Sequence, residues 1–391
     1  MSARDTDEAH RVSSPLELLF DLTFVVAISQ VAEELAKSIN AGHPLQGIIP
    51  FVMVFFAIWW AWLNFTWFAS AYDSDDVPYR LLVLLQMGGA LVLAAGVPAA
   101  FEHQSFFGIT LGYFIMRIGL VSLWVRAAIE NPDGRLTASR YAVGVTVIQL
   151  LWLSRLLLPT DAADQWWTVY LAFVVLVVLE ALVPYWAERT GMTTWHPHHI
   201  AERYGLFTII LLGETIAVLA IGDSQVVTAG DRIGPLIAVG VSALVLIFGL
   251  WWLYFLQPAG EGLAAHRKAS FYWGLGHYFI FAGLGSLGAG LTVMIASADG
   301  KATIPAELAA WAVAIPVALY FASLLITNLR ILPGIIVHLR IVVPTVVLVL
   351  LLPLLTNLIG LVIDFAVTAA VVAGAVAATM ALGRKTVGAT R

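Results

Sequence analysis

Long apolar blocks alternate with short polar breaks from one end of the chain to the other. The blocks fall at 14–36, 47–69, 80–101, 106–127, 140–159, 166–187, 199–222, 233–256, 269–296, 304–327, 337–357 and 361–383. A helix of about 20 residues crosses a hydrocarbon core of roughly 30 Å, and each block is of that order. The breaks carry turn chemistry, as at Asp73-Ser74-Asp75-Asp76, Asn131-Pro132-Asp133-Gly134 and Gln257-Pro258-Ala259-Gly260, and the last two blocks are parted by a turn over 357–360. The pattern predicts an all-α, polytopic transmembrane helical bundle of about 12 spans, with no stretch outside the membrane long enough for a soluble domain.

Composition supports this. Hydrophobic residues make up 60% of the 391 and charged residues 12%, against roughly 25% charged in soluble domains. The absence of cysteine excludes disulfides, thiolate metal sites and cysteine nucleophiles. A net charge of −5 argues against nucleic acid as a partner. The polar segment Met1 to Val12 has no basic n-region and no cleavage pattern follows the first block, so that block is expected to stay as a helix.

Lysine and arginine set the expected orientation. With the N-terminus inside, fifteen of the 20 fall on the cytoplasmic side, only Lys37, Arg155, Arg232 and Lys301 fall outside, and Arg117 lies within a span. Both ends are therefore expected in the cytoplasm, in the cytoplasmic (inner) membrane. Two halves of six spans, 1–190 and 191–391, look like parallel tandem repeats. Glu17 and Glu202 open the first and seventh spans, Trp59-Trp60 and Trp251-Trp252 mark the ends of the second and eighth, and Arg126 and Arg330 close the fourth and tenth.

Ionisable groups inside the spans carry the candidate chemistry, because a charge in the bilayer interior needs water, an ion or a counter-charge. Ser14-Pro15-Leu16-Glu17 has the form of a capping box, which alone explains Glu17. Asp21 lies one turn deeper, beyond the reach of any cap, as either a structural ion pair or a cation or proton site. Depth along the helices makes Arg117 its expected partner, in an inner polar layer of Asp21, Arg117, Glu180 and His277, with Gln86 and Glu202 nearer the cytoplasm. Glu214, 12 residues past Glu202, is expected deep in the outer half at the height of Gln30. His196-Pro197-His198-His199 reads as a polar connection, with metal binding the lesser alternative. Asp73–Asp76 reads as a solvated loop or a cation-attracting mouth. The glycines of Ala282-Gly283-Leu284-Gly285-Ser286-Leu287-Gly288-Ala289-Gly290 are expected to permit close helix packing. No phosphate loop, nucleophile elbow or zinc-protease spacing is present.

Ser14-Pro15-Leu16-Glu17-Leu18-Leu19-Phe20-Asp21-Leu22-Thr23-Phe24-Val25 with Gln30 resembles the opening signature of the bacterial low temperature requirement A family. Arg203-Tyr204-Gly205-Leu206-Phe207-Thr208-Ile209-Ile210-Leu211-Leu212-Gly213-Glu214 resembles its second block, and Trp251-Trp252-Leu253-Tyr254-Phe255 a third, which members continue with Asp where this chain has Leu256. The resemblance covers nearly the whole chain. It implies a multi-pass bacterial membrane protein linked by name to growth in the cold, and it supplies no substrate. The tandem arrangement is also similar in architecture to the two-repeat lysosomal potassium channels.

The function expected is membrane transport of a cation, a proton or a small solute, by a channel or a transporter. Asp21, Glu17, Gln30, Glu202, Glu214 and Thr208 would lie along the path, tuned by Arg117, Glu180, His277 and Arg203. The alternatives are a membrane sensor or envelope assembly factor and, third, a lipid-modifying enzyme. No cofactor or metal is expected. The partners are the lipid bilayer and the transported ion or solute, with homo-oligomerisation left open.

Overall fold

The structure is a computed structural model that describes residues 2–4, 12–158, 166–226, 233–332 and 339–388. Arg11, Arg232 and Arg391 of the charge assignment lie outside these residues. Among the described residues, twelve helices are long and apolar enough to cross a membrane. They are α1 (Pro15–Asn40), α2 (Pro44–Ala71), α3 (Val77–Ala95), α5 (Phe107–Glu130), α6 (Arg135–Arg155), α7 (Trp166–Ala187), α8 (Pro197–Val226), α9 (Ile233–Phe255), α11 (Ser270–Ala298), α12 (Ala306–Asn328), α13 (Leu339–Leu351) with its continuation, and α15 (Leu361–Gly388). Short helices α4 (Val97–Glu102), α10 (Ala259–Ala265) and α14 (Thr356–Ile359) lie between them, and two-residue strands β1 (Ser2–Ala3) and β2 (Tyr72–Asp73) pair antiparallel.

Two expected spans are interrupted. The block at 80–101 stops at Ala95 and restarts at Val97-Pro98, because proline suits the first turn of a helix and cannot continue one. The block at 337–357 narrows into a 3-10 turn over Leu352–Leu355, which holds Pro353, and then into α14. Gly360, at φ +87°, separates α14 from α15 in a backbone region that glycine enters at little cost.

The chain forms two compact units, Met1–Val31 with Ile49–Ile200, and Ala32–Ile48 with Ala201–Arg391. Helix count draws the boundary at 190/191; compactness draws it at 200/201 and assigns residues 32–48 to the second unit.

In the first unit α5 packs between α3 and α6, and α6 packs on α7. Close approach of α3 and α5 depends on paired glycines: a Cβ on Gly89 would lie 2.7 Å from the Gly112 carbonyl oxygen, and one on Gly96 would lie 2.8 Å from the Gly108 Cα. In the second unit α12 lies between α11 and α13, and α9 packs on α15. Gly276, Gly283 and Gly290 recur every seven residues along α11 and face Thr327, Pro316 and Ala312 of α12. The close packing expected from the glycines of this helix is formed, whereas Gly288 faces open space.

Helix α1 shows how a spanning helix places a carboxylate indoors. Leu18, Leu19, Leu22 and Val26 are exposed, while Glu17, Phe20, Asp21, Phe24, Ala27, Ile28 and Val31 are buried. The buried positions recur at three- and four-residue spacing, so they form one stripe, and the acids sit on it away from the apolar outer face.

Candidate functional site

The buried ionisable groups of the first unit form two centres on either side of α2. The first begins at the entrance of α1. The Ser14 N–H donates to Glu17 Oε2 at 2.7 Å, and the Glu17 N–H donates to Ser14 Oγ at 3.3 Å. The expected capping box is therefore formed, but it occupies only one carboxylate oxygen. Glu17 Oε1 lies 3.2 Å from His199 Nε2, and both side chains are almost wholly buried. Within the segment read as a polar connection, His199 is thus part of a buried acid–imidazole pair. His198 is exposed, while the buried His196 donates its N–H to Ser70 Oγ at 3.1 Å. The His199 backbone N–H donates to His196 Nδ1 at 3.3 Å and the His196 and His198 rings lie 5.8 Å apart, but among the described residues no group of three or more His, Cys, Asp and Glu side chains is arranged to hold a metal.

One turn along α1, Asp21 is fully buried and accepts a hydrogen bond from Trp62 Nε1 at 2.7 Å. The expected pairing of Asp21 with Arg117 is not formed. Arg117 Nη2 instead lies 3.1 Å from Glu180 Oε2, with both side chains buried. Glu180 is the focus of the second centre. It also accepts from Trp60 Nε1, from the Tyr113 hydroxyl at 3.0 Å and from Trp152 Nε1 at 3.1 Å. Tyr113 in turn accepts from Arg117. Four side chains from α2, α5 and α6 thereby converge on one carboxylate of α7.

Trp59, Trp60 and Trp62 are each at most 2% exposed. They lie near the centre of α2, not near its end as expected, and Trp60 and Trp62 donate to the buried acids Glu180 and Asp21. The tryptophans of α9 differ: Trp251 and Trp252 are exposed near its end. The indole pairs that look equivalent in sequence therefore have different surroundings.

In the second unit His277 is buried with its Nδ1 2.8 Å from the Trp273 carbonyl oxygen and its Nε2 3.1 Å from the Tyr254 hydroxyl. A carbonyl only accepts, so Nδ1 carries hydrogen and, in the neutral ring, Nε2 accepts from Tyr254. Of the residues expected in the inner layer, Arg117 holds Glu180 and Trp62 holds Asp21 in the first unit, while Tyr254 and Trp273 hold His277 in the second. Gln86, expected to join it, donates to the Leu82 carbonyl one turn back at 3.5 Å. Thr208 is buried, donates to the Tyr204 carbonyl at 2.9 Å and also reaches Tyr254. Arg203 is fully buried and Glu202 half-buried. Glu214 and Gln30 are half-exposed and make no hydrogen bond among the described residues, so Glu214 is less enclosed than its depth in the span predicted.

The acidic run after α2 is a structural device. Asp76 caps α3 through the Tyr79 N–H at 3.0 Å and pairs with Arg126, while Asp75 pairs with Arg80 at 2.7 Å. These acids are matched by the protein's own arginines, which counts against a cation-attracting mouth.

Sequence reasoning missed Trp60, Trp62, Tyr113, Trp152, Tyr254 and His199. The available signal was position. Trp60, Trp62 and Tyr113 lie well inside their helices, where an indole or phenol needs a hydrogen-bond acceptor and buried acids are the acceptors present.

Fold and site together define a multi-pass helical membrane protein that carries ionisable clusters between its helices. Over residues 12–379 the chain matches the family described as bacterial low temperature requirement A protein (LtrA), and it belongs to that family. It is also 30% identical over 258 residues to an uncharacterized protein of Rhizobium meliloti (strain 1021), a match that spans 64% of this chain and 59% of that relative.

Proposed function

We propose that the protein moves a cation, a proton or a small solute across the cytoplasmic membrane, with both chain ends in the cytoplasm and the acid-bearing helices α1 and α8 lining the path. The observation that carries this reading is the buried acidic stripe of α1, where Glu17 meets His199 and Asp21 lies one turn deeper. Ionisable groups within spanning segments are costly and commonly mark ion or proton routes. An acid–imidazole pair can also hold and pass a single proton, which favours proton coupling. Arg203, Thr208 and His277 would shape the second half of the route, and Glu214, half-exposed on α8, would be its second carboxylate. The repeat relation between the two units belongs to the same proposal.

The test is flux in proteoliposomes, with potassium, sodium and proton gradients tried separately, for the wild type, Asp21→Asn and Glu214→Gln. Loss of flux in Asp21→Asn with retained folding supports the reading. Normal flux in both variants overturns it. A second reading, a membrane sensor or assembly factor, draws on the saturated contacts of Glu180, which suit a static scaffold. A stable protein partner with no flux for any ion would favour it.

A further inference from the structure

The transport reading makes no use of a cavity in the first unit, between α2, α5, α6 and α7. Its volume is about 30 Å³, and its wall includes Phe106, Thr110, Tyr113, Trp152, Arg155 and Phe173. A single water needs roughly 10–15 Å³, so the space has room for one or two water-sized occupants.

The unusual member of the wall is Arg155. Its side chain is only 8% exposed, yet it has no carboxylate partner among the described residues. Its Nε donates a long bond of 3.4 Å to the Val169 carbonyl, and its Nη2 has no acceptor. Aromatic rings take the place of a counter-ion: the guanidinium carbon lies 5.1 Å from the Phe106 ring centre and 6.0 Å from those of Trp152 and Phe173. Such contacts relieve part of a cation's desolvation but add no negative charge.

A charge count extends the point. Among the described residues, the acidic and basic side chains around the cavity and the adjoining centre are Arg155, Arg117 and Glu180, and Arg117 and Glu180 pair with each other. Tyr113 and Trp152 belong to both places, since each lines the cavity and donates to Glu180. One positive charge therefore remains beside a water-sized space in an apolar surrounding, where an unmatched ion is costly. Thr110 lines the same space, and its hydroxyl makes no hydrogen bond among the described residues, so it is available as a donor.

We propose that this cavity binds one small inorganic monoanion, of the halide or nitrate class, with the Arg155 guanidinium as its counter-charge and the Thr110 hydroxyl as a second donor. The site is distinct from the acids of α1, so it stands or falls separately from the transport reading.

The experiment uses the full chain, purified in detergent. Thermal stability is measured against sodium chloride, bromide, nitrate and gluconate at constant ionic strength, and crystals are soaked in bromide for anomalous scattering. The expected result is a saturable stabilisation by chloride, bromide and nitrate but not gluconate, with a bromide peak beside Arg155. Arg155→Gln should weaken the effect roughly tenfold to a hundredfold, the loss expected on removing charge-assisted hydrogen bonds, and Thr110→Val should weaken it less. Equal stabilisation by every anion, or an unchanged effect in Arg155→Gln, overturns the proposal. If Arg155→Gln does not fold, the bromide experiment on the wild type decides: a saturating soak with no peak, or hydrocarbon density filling the cavity, refutes it.

Discussion

The Glu180 centre allows a quantitative test of what holds the first unit together. Replacing Glu180 by Gln keeps the side chain's shape and removes its charge. Arg117 then has no counter-charge, since its Nε and Nη1 have no acceptors of their own. An amide also offers one accepting oxygen where the carboxylate offered two, so part of the set Trp60, Tyr113, Trp152 and Arg117 faces an NH₂ group. Removing one partner of a buried pair costs about 3–5 kcal/mol, and that is the expected loss. Arg117→Met should cost less, because three neutral donors still hold the carboxylate. The double variant Arg117→Met with Glu180→Met removes both charges, and its loss should fall short of the sum of the singles by about 1 kcal/mol or more. The assay is unfolding of the purified protein in detergent, followed by the summed fluorescence of its 14 tryptophans, Trp60 and Trp152 among them. A Glu180→Gln variant within about 1 kcal/mol of the wild type, or strict additivity in the cycle, would refute the view that this pair is a tightly coupled buried ion pair.

Glycines of α11 supply a paired comparison: Gly290→Leu should destabilise by about 1–3 kcal/mol through overpacking against the Ala312 carbonyl, while Gly288→Ala, which faces open space, should be tolerated, as thermal melting of both will show. At the α2–α3 loop, the Arg126 guanidinium and the Tyr79 N–H hold the Asp76 carboxyl below the usual aspartate range. A depressed folded-state pKa means that its stabilisation is full above the ordinary value and is lost as the pH falls through the lower one. Melting temperature followed down to about pH 2 should therefore fall less steeply in Asp76→Asn than in the wild type. The same variant should cost at most about 1 kcal/mol at neutral pH, since asparagine still caps a helix and the ion pair is exposed.

The membrane class and the number of spans were legible in the sequence because bilayer thickness imposes a length on each apolar block, and that constraint is local. The helix start at Ser14–Glu17 was legible for the same reason, since a cap joins residues three apart. The packing glycines of α11 could be read because small residues leave room for any neighbour, although only the fold identified α12 as that neighbour. Partner choice was not legible. Asp21 bonds a residue 41 positions away and Glu180 one 120 positions away, and nothing in helical periodicity specifies which faces meet at that separation. Depth along a helix is a single coordinate, so it ranked Arg117 beside Asp21 while leaving rotation about the axis free. Tertiary packing settled that rotation and turned Arg117 to Glu180 and Trp62 to Asp21. Sequence thus determined that charges would be buried in the membrane; the three-dimensional arrangement decided which opposite charge or donor each would meet, because that depends on helix azimuth and on neighbours far away in the chain.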